Sequence, residues 1–181
     1  MSGFLVAPIF HVEQIDRAEL NRLIHLWGHR MGVYARPHHT VEAHHALLFH
    51  GRPVAVTATG DTPNIVVGDT RLLRSEVVEL CRLCAVEGIF ADPMLQLWRT
   101  GIFPALAARR PNPASVVAIS YQEDGSKQDS LFLADGWSRI GRGRGGAQDS
   151  RHGREGYKLA IWGWPHAALE IATARRKARA A

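Results

Sequence analysis

Residues 116–137 read VVAISYQEDGSKQDSLFLADGW, and this stretch decides the fold. Val116 to Tyr121 is a short, nearly continuous apolar run, the pattern of a strand buried on both faces. Gln128 to Ala134 is predicted as a short helix, stopped by Asp135-Gly136, and Trp137 to Ile140 starts another strand. Strand, helix and strand in so few residues, with the acids Glu123 and Asp124 at the first strand's C-terminal end, is an α/β arrangement. Active groups of open α/β sheets gather at such ends. Either acid suits a general base toward an amine, and turn acids that cap the following helix are the other reading. Tyr121 is the nearest phenol able to donate a proton.

Upstream, Val77 to Val86 is predicted as a long strand. Asp92-Pro93 reads as an N-cap with proline at the first helical position, opening a helix through Leu95, Trp98, Ile102 and Phe103. Arg82 lies mid-strand among apolar residues, so its charge needs a partner or a cleft. Strand alternation puts Glu79, three positions away, on the opposite face, and likewise separates Cys81 from Cys84, which argues against a metal site there. Further upstream, Phe4 to Ala7 reads as a first strand. Asp16 caps a helix carrying Leu20, Leu23, Ile24 and Trp27, and Arg36-Pro37 breaks into a loop. Residues 43–49 and 53–59 flank His50-Gly51-Arg52 as a hairpin. Downstream, residues 141–156 read as a Gly/Arg loop, Lys158 to Trp164 as a strand, and residues 167–181 as a basic helix. No repeat and no linker interrupts the chain.

With 181 residues, 46% of them hydrophobic, a sizeable core is available and disorder is excluded as the overall state. No apolar run approaches a membrane span and no export signal opens the chain, so a cytoplasmic protein is expected. Two cysteines make no disulfide framework. The net charge of +5 is local. Arg139, Arg142, Arg144, Arg151, Arg154 and Lys158 face only Asp149 and Glu155 within their segment, and Arg175, Arg176, Lys177 and Arg179 face no acid at all. Such an arm and tail suit a polyanion, DNA above all. Seven of ten histidines fall between His25 and His50; His25 and His29, four apart, have a spacing that two ligands of one metal would use. Trp162 and Trp164 share one strand face, as core packing or as a platform for a flipped base.

The order of elements resembles the GCN5-related N-acetyltransferase (GNAT) fold. Val78-Glu79-Leu80-Cys81-Arg82-Leu83 is similar to that family's central strand, and Ser120-Tyr121-Gln122-Glu123 followed by Leu131-Phe132 and Asp135-Gly136-Trp137 resembles its next strand, helix and return. Within the superfamily these segments, with Gly28-His29-Arg30-Met31-Gly32 and Lys158 to Trp164, resemble phage Mom-type DNA-modification proteins. The resemblance implies a GNAT-like mixed central sheet flanked by helices over residues 1–165, with residues 166–181 a basic helix or tail. It implies catalytic roles for Arg82, Tyr121 and Glu123, and acceptor contacts from His29, Arg36, Trp162 and Trp164. A donor such as acetyl-CoA, or another acyl donor, would sit at Gly88, Ile89 and Phe90. The function implied first is modification of a nucleobase amino group in DNA; the alternatives are acetyl-CoA-dependent N-acetylation of a small amine or protein, and a non-catalytic nucleic-acid-binding or inhibitor module. The chain departs from the family in three places. The pyrophosphate loop has one glycine between the acids Glu87 and Asp92, Phe132 stands where a general-acid tyrosine is common, and Lys127 or Gln128 replaces a polar histidine.

Overall fold

The computed structural model describes residues 9–29, 32–35, 42–62, 66–67, 71–125, 128–144 and 158–180. Seven strands form one mixed sheet: β1 (Phe10–Ile15), β2 (Glu42–Phe49), β3 (Arg52–Gly60), β6 (Val77–Ala85), β7 (Val117–Glu123), β8 (Ser138–Arg144) and β9 (Lys158–Trp164). Their spatial order is β1-β2-β3-β6-β7-β9-β8, and a small ribbon of β4 (Val66–Val67) and β5 (Leu72–Leu73) stands apart. All neighbours are antiparallel except β6 and β7.

The helices divide by the apolar stripes they bury. On one face, α1 (Arg17–Leu26) packs Leu20, Leu23 and Ile24 against Ala46, Val56, Ala58 and Cys84, and α5 (His166–Ala180) packs Ala168, Leu169 and Ala172 against Val77, Val117, Ile119 and Ile161. The other face is covered by α2 (Ala91–Leu97), α3 (Phe103–Ala107) and α4 (Gln128–Ala134), whose Leu95, Phe103, Leu106 and Phe132 meet Val78, Leu80, Ala118 and Trp162. Burial of this kind stabilises by roughly 25 cal/mol per Å² of apolar surface, which makes the two-sided sheet the main source of stability.

Local chemistry sets the element ends. Asp16 accepts the Glu19 N–H at 2.8 Å and caps α1 as anticipated. Asp16→Ala is expected to cost about 1 kcal/mol, read as a lower urea midpoint with an unchanged slope; an unchanged midpoint would deny the cap its role. The hairpin turns on His50 and Gly51 with φ of 49° and 75°, the left-handed pair that a two-residue loop of matching twist requires. α4 ends in a double C-terminal cap: Gly136, at φ 80°, donates to Leu133, and Trp137 donates back to Phe132.

Several expectations need correction. The first described strand is Phe10–Ile15, an exposed edge strand, whereas the expected strand Phe4–Ala7 lies outside the described residues. Asp92 does not cap α2, because the helix already begins at Ala91 and Phe90 occupies the cap position. The long helix is broken by a π-turn, Trp98–Ile102, in which Phe103 N–H reaches Trp98. Pro104 is the physical reason: it has no N–H to give Thr100 and its ring would meet that carbonyl, so the extra residue relieves the clash. Residues 141–144 extend β8 rather than opening a loop.

Candidate active site

The parallel pair β6 and β7 is bonded over three positions only, Val77 to Val117, Val78 to Ala118 and Glu79 to Ile119. Beyond them β6 continues to Ala85 alongside β3, while β7 continues to Glu123 alongside β9. The two strands therefore part, and their facing edges open a cleft at their C-terminal ends. A side chain closes the point of parting. Ser120 Oγ donates to the Leu80 carbonyl at 3.1 Å across the gap and accepts from Gln122 Nε2 at 3.0 Å.

A β-bulge shapes the β6 wall. Thr59 pairs with Leu80 and Ala58 with Arg82, so Cys81 is one residue in excess. Such an insertion takes its backbone out of the ladder and inverts side-chain alternation beyond it. Leu80 consequently points to the α2–α3 face, whereas Cys81, Arg82 and Cys84 all turn to the α1 face. This corrects two expectations from plain alternation: Glu79 and Arg82 lie on the same face, and so do Cys81 and Cys84. Neither cysteine is in a disulfide, and burial pushes the Cys84 thiol up to about 11.

Arg82 is buried, its Nη1 donates to the Cys81 carbonyl at 2.8 Å, and its guanidinium lies 5.8 Å from the Tyr34 ring centre. Tyr34 is almost fully buried beneath α1, where Asn21 holds its backbone from both sides, accepting from its N–H at 2.6 Å and donating to its carbonyl at 3.2 Å. The Arg17 guanidinium covers the same ring at 5.3 Å and His44 meets it edge-on at 5.6 Å. Sequence reading missed Tyr34 and His44, because the segment around Tyr34 has no period and His44 sat within a run of histidines. Across the cleft, Tyr121 and Glu123 are half-buried and share the face of Val117 and Ile119. All three expected catalytic residues thus project to the α1–α5 side of the parted strands, Arg82 from one wall, Tyr121 and Glu123 from the other.

Asp124 is different. Arg139 reaches its carboxylate at 2.6 Å and Arg142 at 3.6 Å, and its pKa is lowered by the Arg139 hydrogen bond first, then by the charges of Arg139, Arg142 and Lys158. A carboxylate so stabilised in its ionised form is a poor proton acceptor. Of the two acids, Glu123 is the better placed base.

The remaining expected residues fall as follows. Trp162 is buried at 2% exposure and stacks on Phe132 at 6.0 Å, so it is core and offers no platform to a base. Trp164 is half-buried between Phe103 and the Arg99 guanidinium. His29 is partly buried just beyond α1, its N–H bonded to Ile24. Gly88, Ile89 and Phe90 form a 3-10 turn directly after β6, with Ile89 70% exposed and Glu87 exposed beside it. Lys158 is exposed at the start of β9. Arg36, Arg151, Arg154, Lys127 and the Arg144 side chain lie outside the described residues. Among the described residues, no group of three or more His, Cys, Asp or Glu side chains is placed to hold a metal ion, and no helix is long and apolar enough to cross a membrane.

Next to His44, His45 is half-buried on the opposite face of β2, and desolvation, then the neighbouring imidazole, lowers its pKa. A depressed histidine favours the neutral form in the folded state. Its contribution is therefore complete above the ordinary value of about 6.5 and is lost as pH falls below it, because the unfolded chain then binds the extra proton. Thermal unfolding followed between pH 7.5 and 5 should show a steeper loss of stability for the wild type than for His45→Gln; parallel profiles would contradict this.

No family model and no curated protein matches the chain. Solved structures do. A chimera of the Vibrio cholerae spermidine N-acetyltransferase SpeG and hSSAT is similar with a TM-score of 0.60 at 9% identity, covering 91% of this chain and 99% of its own. An aminoglycoside N(6')acetyltransferase from Legionella pneumophila has a TM-score of 0.54 at 10% identity over 96% and 99% of the two chains. A GNAT family acetyltransferase from Elizabethkingia anophelis with acetyl-CoA bound has a TM-score of 0.52 at 9% identity over 87% and 98%. The chain has the fold of the GNAT acetyltransferases. Each of the three is named as an acetyltransferase, and the likeness to Mom-type proteins draws no support from them.

Proposed function

We propose that the protein is an N-acyltransferase that moves an acetyl or similar acyl group from a coenzyme A thioester to an amine. The observation that carries this reading is the parting of β6 and β7 with a bulge at Cys81, in a sheet shared with proteins named for that reaction. It replaces base modification in DNA as the leading reading, because the structural neighbours are acetyltransferases and nothing in them speaks for DNA.

The cleft fits an extended, amide-bearing donor arm. Beyond Glu79 and Ile119 the inner edges of β6 and β7 carry no strand partner among the described residues, although the Leu80 carbonyl takes the Ser120 hydroxyl and the Cys81 carbonyl the Arg82 guanidinium; an inserted chain can pair along these edges as an added strand pairs with a sheet edge. When bound there, the donor supplies an acyl carbon already activated by its sulfur. The chain's own groups do the rest. The bulge at Cys81 takes a backbone amide out of the ladder, where it can stabilise negative charge on a carbonyl oxygen. Glu123 takes the proton of the attacking amine, and Tyr121 offers its phenolic proton to the departing sulfur. Arg82, fixed over Tyr34, keeps a positive charge on the acceptor side of the cleft.

Free-thiol release from acetyl-CoA, measured with a panel of polyamines, aminoglycosides and peptide amines, tests the function. Amine-dependent thiol release supports it. Absence of acetyl-CoA binding in a calorimetric titration would overturn it.

A further inference from the structure

The turn where this fold is expected to meet a donor's phosphates is chemically wrong for them. Gly88–Phe90 is flanked by Glu87 and Asp92 and exposes Ile89, so its charges repel a phosphate and its most prominent side chain is apolar. The positive charge lies instead just past the end of β7, the other wall of the cleft. Arg139 pairs with Trp162 and Gly141 with Ile161, which makes Ile140 a second bulge, and Ile140 packs beneath α5. The extra residue brings Arg139 and Arg142 to one face, the face that Ala160 and Trp162 bury under α4. Without the bulge, residues three apart would point oppositely.

That face carries the helices α2 and α4, which follow β6 and β7, the two walls of the cleft, in the chain. There Asp124, the residue after β7 ends, gathers Arg139 at 2.6 Å and Arg142 at 3.6 Å, and its N–H ties to the Lys158 carbonyl at 2.9 Å. Three cations, Arg139, Arg142 and Lys158, act on the Asp124 carboxylate, while the acids on either side of it are turned elsewhere: Glu123 to the opposite face of β7 and Asp129 to the Gly125 N–H. Asp124 pins Arg139 closely, but the Arg142 side chain is 76% exposed and Lys158 is exposed as well. An exposed guanidinium anchored at one edge is a fork with donors to spare for phosphate oxygens.

We propose that Arg142 and Lys158, arranged around Asp124 by the Ile140 bulge, form the phosphate site of this protein and take the phosphate groups of the acyl-coenzyme A donor. This rests on the function proposed above. Asp124 is a positioning residue here, holding the arginines in place.

Calorimetric titration of coenzyme A, pantetheine and inorganic pyrophosphate into the full chain and into Arg142→Ala/Lys158→Ala tests it. Both substituted side chains are exposed, so the variant should keep its melting temperature. Coenzyme A and pyrophosphate should bind the variant about tenfold more weakly or worse, pantetheine should bind both proteins equally, and the salt dependence of coenzyme A binding should flatten. Coenzyme A affinity within about twofold of wild type would overturn the proposal. A wild type that binds neither coenzyme A nor pantetheine would sink the acyltransferase reading, while pyrophosphate binding lost in the variant would still uphold the phosphate site. Duplex DNA binding that falls in the variant while coenzyme A binding stays would overturn the assignment to the donor.

Discussion

Asp135→Ala is expected to lower the melting temperature by roughly 6–12 °C, from a loss of about 3 kcal/mol. Asp135 is 4% exposed on its side chain and takes both arms of Arg99, at 2.9 and 3.0 Å, and the Trp137 indole N–H at 2.9 Å. One carboxylate thereby joins the π-turn of the α2–α3 helix to the end of α4 and the start of β8. Its removal leaves a mostly buried guanidinium without its counter-charge and an indole without its acceptor. Those orphaned groups, more than the lost pair itself, carry the cost. Asp135→Asn, which keeps one carbonyl oxygen, should lose less. A melting temperature for Asp135→Ala within about 2 °C of wild type would show that the junction is held by the Trp98, Phe132 and Trp137 rings alone.

Glu123→Gln should lower kcat by about 10²–10⁴-fold with the acceptor KM and the melting temperature little changed, under the acyltransferase reading. Glu123 stands at the open end of β7 on the acceptor face, while its neighbour Asp124 is committed to Arg139 and stays ionised. The amide keeps the shape and loses the basic lone pair. Partial recovery in Glu123→Asp would mark a proton-transfer role over a packing one. A kcat for Glu123→Gln within about threefold of wild type would remove Glu123 from the chemistry and shift the base to a water held elsewhere in the cleft.

The elements governed by short-range chemistry were legible in the sequence. Asp16 and the Leu20, Leu23, Ile24 stripe announced α1, His50-Gly51 the hairpin, and Asp135-Gly136 the end of α4. The order of strands and helices was enough for the fold. What failed was everything that depends on register between strands. The bulges at Cys81 and Ile140 exist only because a partner strand skips a residue, and nothing in either local sequence marks them. Each one inverts alternation, whereas plain alternation puts Glu79 and Arg82, Cys81 and Cys84, and Arg139 and Arg142 on opposite faces. β1 went unread because Phe10–Ile15 is an edge strand with no residue fully buried. Spacing alone leaves Trp162 open between core packing and a base platform, because it does not say which of two faces meets a helix; Phe132 of α4 covers it, and it is core. The basic arm was visible as charge, but its gathering around one carboxylate is a tertiary fact.

A donor that enters between β6 and β7 would cover the facing edges of both strands, and amide hydrogen exchange with and without acetyl-CoA reports on those edges. Added acetyl-CoA should slow exchange at residues 80–85 and 120–123, the two facing edges beyond the point of parting, and leave the β1–β2 edge unchanged. Unchanged exchange at both edges in the presence of bound acetyl-CoA, with protection appearing elsewhere, would contradict the account.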